Sequence, residues 1–355
     1  MRITRLLFQS KGGMTSYGQY TASLSAWFCI PEQGMDGFEI MSRASAFLVK
    51  ADVDSMKGAF PVGHESTMGA RYAAKAAKNA AGLEFRPTHH VVTSSHVVSP
   101  WLWPKYYPEE WLQFVNEQHT YYTLEVRDQD GTFISQVECN PVTYHHPNKD
   151  LAILHLADEA ENLDLLRDTG YHVSELIPPS IRQDVSFLMP GKGLKFAGHN
   201  VTDTAEDGRS NFPPANGVSV DSRKPIPTTV HGQVVHKSEA QIFCKTETVL
   251  TYGMCGGPVV VSEEDGGGGL VNGQIAGMIE GIVPMEHPVP ELQGLAVFID
   301  SDDIRDFVRE VEGGRVEPLL GGHSLDVVGS SPGDPDKYLH EYEREHDGGA
   351  TAFKP

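Results

Sequence analysis

The sequence is short of the residues that most often reveal a function directly. Only four cysteines occur in 355 residues, Cys29, Cys139, Cys244 and Cys255, and none forms a C-x-x-C pair or a zinc-ribbon spacing. Cysteines so few and so far apart do not make a disulfide framework, and they point to a reducing, intracellular compartment. Basic residues are scarce: 28 Lys and Arg stand against 48 Asp and Glu, a formal net charge of −20. Such a chain repels nucleic-acid phosphates, and no basic-aromatic stripe offsets the repulsion, so nucleic acid is not an expected partner. No run approaches the roughly 18 apolar residues of a membrane span, so no transmembrane segment is expected. Acid is missing altogether from Met1 to Pro31, where Arg2, Arg5 and Lys11 are basic and Ser and Thr recur. Two readings of this stretch stand side by side: an organelle import leader such as a mitochondrial one, or an N-terminus with few charges by chance.

What is abundant is turn chemistry. The chain has 36 Gly and 23 Pro, and its apolar runs are short. Ala44 to Lys50, His90 to Thr93, Thr120 to Val126, Phe133 to Cys139 and Leu151 to Leu154 read as strands of a first half. Val185 to Met189, Val230 to Val235, Ala240 to Phe243, Pro258 to Val261, Gln274 to Ile279 and Leu295 to Ile299 read as strands of a second half. Gly, Pro and Asp clusters separate them, notably Asp203 to Asn216 and Glu263 to Gly269. This pattern predicts an all-β chain of two packed barrels rather than alternating β and α units. The Ala- and Lys-rich segment Met68 to Ala81 favours helix and reads as an insertion between strands. A C-terminal helix is predicted from Ile304, Phe307, Val308 and Val311, which form one stripe; Asp300 to Asp303 suit its start and Gly313-Gly314 its stop. The expected organisation is a leader over 1–38 and a domain over 39–312. Its barrels span about 39–165 and 170–300, its helix 301–312, and a disordered tail follows over 313–355.

Three short segments carry chemistry. In Val91-Val92-Thr93-Ser94-Ser95-His96 an apolar strand ends in small hydroxyl residues and a histidine. In Asn148-Lys149-Asp150-Leu151-Ala152-Ile153-Leu154 an acid immediately precedes a buried strand. In Tyr252-Gly253-Met254-Cys255-Gly256-Gly257-Pro258 glycines flank a thiol and permit a sharp turn, which can aim the amides of Gly253 and Cys255 at one point. Taken singly, each has a plainer meaning: a core histidine, a turn aspartate, a buried thiol packed as a small hydrophobe. A metal reading is weighed against the His89-His90 and His145-His146 pairs. In a strand, adjacent rings point to opposite faces, and no H-E-x-x-H helix or matched Cys/His spacing exists, so no metal and no cofactor is expected.

Taken together and in order, His after a strand, Asp-Leu-Ala-Ile-Leu and Gly-x-Cys-Gly-Gly-Pro resemble the trypsin/chymotrypsin superfamily. The Thr93 to Val98 segment and Gly294-Leu295-Ala296-Val297-Phe298-Ile299 before Asp300 are similar to the trypsin-like domain of HtrA/Deg proteases. Gln274 to Ile279 looks like that domain's cleft-lining strand. The resemblance covers roughly residues 40 to 312 in scattered blocks. It implies two six-stranded Greek-key barrels with a C-terminal helix, and an endopeptidase acting on peptide or protein substrates. It also implies a catalytic set of His96, Asp150 and Cys255, an oxyanion hole from Gly253 and Cys255, and a substrate cleft flanked by Tyr252, Ile279, Glu280 and Gly281. Three departures stand out. The nucleophile position holds Cys255 instead of serine, as in picornavirus-like cysteine proteases. Met254 replaces the aspartate that digestive proteases pair with a freed N-terminus. No PDZ-like pattern follows Gly313. The departures keep a second expectation open: a protease-like fold that binds peptides or proteins with little or no turnover.

Overall fold

The computed structural model describes residues 20–52, 87–104, 106–177, 188–201, 225–238, 241–262 and 274–319. Among the described residues the chain is mostly β, with three α-helices. The first half holds β1 (Ala22–Phe28), β2 (Glu39–Lys50), β3 (His89–Thr93), β4 (Thr120–Arg127), β5 (Phe133–Glu138), β6 (Tyr144–His145) and β7 (Ala152–Leu154). A single-turn helix α1 (Ser95–Val98) follows β3, and α2 (Glu159–Asp168) follows β7. The second half holds β8 (Glu175–Leu176), β9 (Gly193–Val201), β10 (Pro225–Lys237), β11 (Ile242–Thr246), β12 (Pro258–Val261), β13 (Gln274–Ile282) and β14 (Ala296–Asp300), then helix α3 (Ser301–Glu312).

The second half contains a closed six-stranded barrel. Its order is β12-β9-β10-β11-β14-β13, the β12–β13 ladder closes it, and β8 extends β13 in parallel. The first half departs from the expected second barrel: it is a seven-stranded sheet, β5-β4-β1-β2-β3-β7-β6, that does not close. Its ends approach only where the chain leaves β5 and β7, at a single Cys139–Leu156 bridge. The reason lies in length, because β6 and β7 are two and three residues long and offer too little ladder for closure. The fold is compatible with a chymotrypsin-like architecture.

β1 also moves the expected domain boundary. The leader was expected to run to residue 38, yet Ala22–Phe28 lies between β2 and β4 and is buried almost throughout. Its Ala-Ser-Leu-Ser-Ala pattern, small and uncharged on both faces, suits an inner strand and hides it from a reading based on bulky apolar runs. At the other end Leu319 is buried and pairs with Thr143, so the segment directly after α3 docks on the first sheet. Met68 to Ala81, most of Val185 to Met189 and the chain beyond 319 lie outside the described residues.

β2 joins the two halves. Ala44, Ala46 and Leu48 point into the core of the first sheet, packed with β1 and β4 residues such as Leu24 and Leu124. Phe47 and Val49, one residue out of phase, point into a second core shared with Ile275 and Met278 of β13 and with Ile304, Phe307 and Val311 of α3. A separate core built on Phe196, Val234, Val259, Ile279 and Phe298 fills the closed barrel. The predicted α3 stripe is therefore correct and seals the seam, and Asp300 caps the helix by accepting from the Asp302 amide.

Polar groups lock that seal. His90 Nε2 lies 2.9 Å from Glu312 Oε1, His90 Nδ1 lies 2.9 Å from His155 Nε2, and Glu312 Oε1 also accepts from the Asp52 amide at 2.7 Å. All three side chains are buried.

Burial holds three histidines neutral. It lowers His155 well below its ordinary range, His145 on β6 to about 4 and His199 on β9 to about 3. In the unfolded chain each titrates near 6.5. Their stabilising effect is therefore fully present above about pH 6.5 and is lost as the pH falls towards 4, by roughly 1.4 kcal/mol per group per unit. Urea unfolding at pH 7, 6 and 5 should show this slope. His145→Gln should lessen it by about 1.4 kcal/mol per unit, and an unchanged slope would refute the assignment.

Candidate active site

Glycine geometry shapes the turn before Cys255 and the docking surface behind it. Gly253 has φ +91° and Gly256 φ +78°, the left-handed region that only glycine adopts at low cost. Space is equally restrictive, because a Cβ on Gly256 would sit 2.3 Å from the Ser45 carbonyl oxygen and 2.5 Å from Thr93 Oγ1. The turn between β11 and β12 thus presses against β2 and β3 of the other half. Gly256 and Gly257 also exchange backbone hydrogen bonds with Ile279 of β13, both at 2.8 Å. Residues from both halves therefore meet at one sulfur.

Ser45 makes the junction specific. Its amide donates to the Cys255 carbonyl at 3.0 Å, and its carbonyl accepts from Thr93 Oγ1 at 2.9 Å. Its hydroxyl donates to the Gly253 carbonyl at 2.7 Å and accepts from the His199 amide at 2.8 Å. With the Gly253 and Cys255 carbonyls turned to Ser45, the amides of those two residues have no acceptor among the described residues.

His96 belongs to α1, three residues beyond Thr93, and is buried. Asp150, also buried, holds it twice. Oδ1 accepts from the His96 amide at 2.8 Å, and Oδ2 lies 2.5 Å from Nδ1. Cys255 lies close enough to the ring to act on its protonation. Burial works against an imidazolium here, but the Asp150 carboxylate, with smaller contributions from Tyr107 and Cys255, outweighs it, and His96 is lifted well above its ordinary range. The three predicted residues converge.

The other three thiols differ from Cys255. Cys29, Cys139 and Cys244 are buried, and burial pushes each of them up, Cys244 to about 12. All four are free, and Cys255 alone is partly open to solvent.

Of the predicted cleft residues, Tyr252 projects into solvent, 75% exposed, directly before Gly253. Ile279 does not face the cleft: its side chain lies in the barrel core and its backbone is taken up by Gly256 and Gly257. Glu280 occupies a bulge in the β13–β14 ladder. It is buried and accepts from Gln241 Nε2 at 2.6 Å rather than facing water. Bulges re-aim a strand's side chains in this way. Gly281, half-buried, continues the strand beside it. Sequence reasoning missed Ser45, Gln241 and the aromatic segment Trp103 to Tyr107, whose rings surround His96. Among the described residues no three His, Cys, Asp or Glu side chains are grouped to hold a metal ion, and no helix is long and apolar enough to cross a membrane. Compared with protein families and with curated proteins, the chain matches none of them.

Two buried serines separate the junction from ordinary packing. Ser45→Ala leaves the His199 amide and the Gly253 carbonyl unpaired and should cost about 1–3 kcal/mol in chemical denaturation. Ser25 on β1 is equally buried, but its hydroxyl has no partner among the described residues. Ser25→Ala should be neutral or stabilising. Equal losses in the two variants would disprove the role given to Ser45.

Proposed function

We propose that the protein is a cysteine endopeptidase acting through Cys255, His96 and Asp150. The observation that carries this reading is the junction itself: an imidazole doubly held by a buried carboxylate, a partly open thiol close enough to act on that ring, and two amides without an acceptor among the described residues on the turn that bears the thiol. Asp150 fixes the tautomer with Nδ1–H and compensates the charge His96 gains. His96 takes the Cys255 proton as Sγ attacks the peptide carbonyl carbon, and the oxyanion that forms is bound by the Gly253 and Cys255 amides. The C–N bond then breaks, His96 gives its proton to the leaving amine, and a thioester remains. Water adds to the thioester while His96 accepts its proton. The C–S bond breaks, and that proton returns to sulfur. No cofactor or metal enters these steps.

Extended peptide or protein segments are the proposed substrates, received beside Tyr252 and Gly281. The chemistry calls for an environment in which thiols stay reduced, which suits an intracellular setting.

The test is cleavage of a peptide library by the purified chain, with the modified cysteine identified by mass spectrometry after iodoacetamide. Cys255 should be alkylated ahead of the other three. Cys255→Ala and His96→Ala should each lower kcat by about 10⁴-fold or more, and Asp150→Asn by about 10⁴-fold. Cys255→Ser should retain part of the activity. Peptide binding without turnover in the unmodified chain would instead favour a protease-like binding module.

A further inference from the structure

Three aromatic rings surround the imidazole of His96. Tyr106 stacks on it, with centroids 5.4 Å apart and planes 22° apart. Trp103 meets it at 6.0 Å and 72°, and Tyr107 at 6.2 Å and 32°. The rings also support one another, Trp103 against Tyr106 at 6.2 Å and Tyr106 against Tyr107 at 6.1 Å. Their backbone is ordered by a tight turn, since the amides of Tyr106 and Tyr107 both donate to the Trp103 carbonyl at 2.9 Å. Trp103 is buried, and Tyr106 leaves half its surface exposed.

A buried imidazolium loses its hydration, and the negative faces of aromatic rings within about 6 Å restore part of that loss. We propose that Trp103, Tyr106 and Tyr107 form an aromatic cage that stabilises the protonated form of His96 and thereby the ion pair in which the Cys255 proton rests on the imidazole. Tyr106, the stacked ring, is the principal positioning residue. The inference rests on the reading of Cys255 and His96 as a working pair.

Other titratable groups around the cage must be separated from the rings. Asp150 is hydrogen-bonded to His96, Cys255 acts on it electrostatically, Glu280 of β13 acts on Tyr106, and Glu109 acts on Tyr107. His145 is linked through Ser95, whose Oγ lies 2.7 Å from its Nδ1, and burial keeps it neutral down to about pH 4. Desolvation pushes the Tyr106 phenol up to about 12 and raises that of Tyr107, so both rings stay neutral near pH 7. All these charges persist when Tyr106 becomes Phe or Leu, so the comparison isolates the ring.

The test is the rate at which iodoacetamide alkylates Cys255 in the full chain between pH 5 and 9, followed by mass spectrometry. Tyr106→Phe should track the unmodified protein within about twofold. Tyr106→Leu should be about three- to tenfold slower at pH 6, with the acidic limb of its profile moved to higher pH. Tyr107→Leu should give a smaller shift in the same direction, and it serves as the test if Tyr106→Leu fails to fold. Profiles of the tested Leu variant and the unmodified protein that coincide, while His96→Ala differs from both, would overturn the cage and leave the pair intact. A His96→Ala profile matching the unmodified protein would overturn the pairing itself.

Discussion

Three of the four hydrogen bonds made by Ser45 hold the two halves of this protein in register. Its amide, carbonyl and hydroxyl reach the Cys255 carbonyl, Thr93, the Gly253 carbonyl and the His199 amide. Thr93 ends the strand that leads into His96, while Gly253 and Cys255 belong to the turn that carries the thiol. One buried residue therefore ties the strand leading into His96 to the turn that carries the thiol and also sets the direction of the Gly253 and Cys255 carbonyls. The absence of a Cβ at Gly256 is the matching constraint, because any side chain there would push the turn away from Ser45 and Thr93. The wider seam, built on Phe47, Ile275, Met278 and the apolar face of α3, supplies the burial that makes these few polar bonds strong.

The same residue type is held in opposite states by its surroundings. His145, His155 and His199 are enclosed by hydroxyls, rings and backbone, so burial dominates and each stays neutral. His96 is buried as well, yet a carboxylate 2.5 Å from Nδ1 and a thiol beside it reverse the balance. Glu312 shows how narrow the difference is: it binds His90 at a comparable distance, but with no nucleophile at hand, and it ties α3 to β3 instead. A His–carboxylate pair is thus structural or chemical according to what lies on the far side of the ring.

Local pattern made much of this architecture legible. β12, β14 and α3 are nearly where their apolar runs or stripe put them, because one buried face gives a clear period. β1 and β9 escaped notice for a physical reason. β1 is mostly Ala and Ser, with only Leu24 and Phe28 bulky on its core face, and β9 contains Lys195, His199 and Asn200, whose polarity masks a buried strand. The open first sheet was equally beyond reach, since closure depends on how much ladder two very short strands can offer.

The sequence by itself determined the candidate site: a histidine after a strand, an acid before one, and a thiol among glycines that only a left-handed turn requires. These signals are local, carried by a few adjacent residues whose chemistry and backbone freedom do not depend on distant neighbours. Ser45, Gln241, Trp103 and Tyr106 carry no such mark, being ordinary residues in ordinary segments. Their importance arises from partners up to 208 residues away, as in the bond from Ser45 to Gly253. Only the packing of one half on the other could bring those partners together, because a hydrogen bond or a ring stack is decided by distance in space and not by separation along the chain.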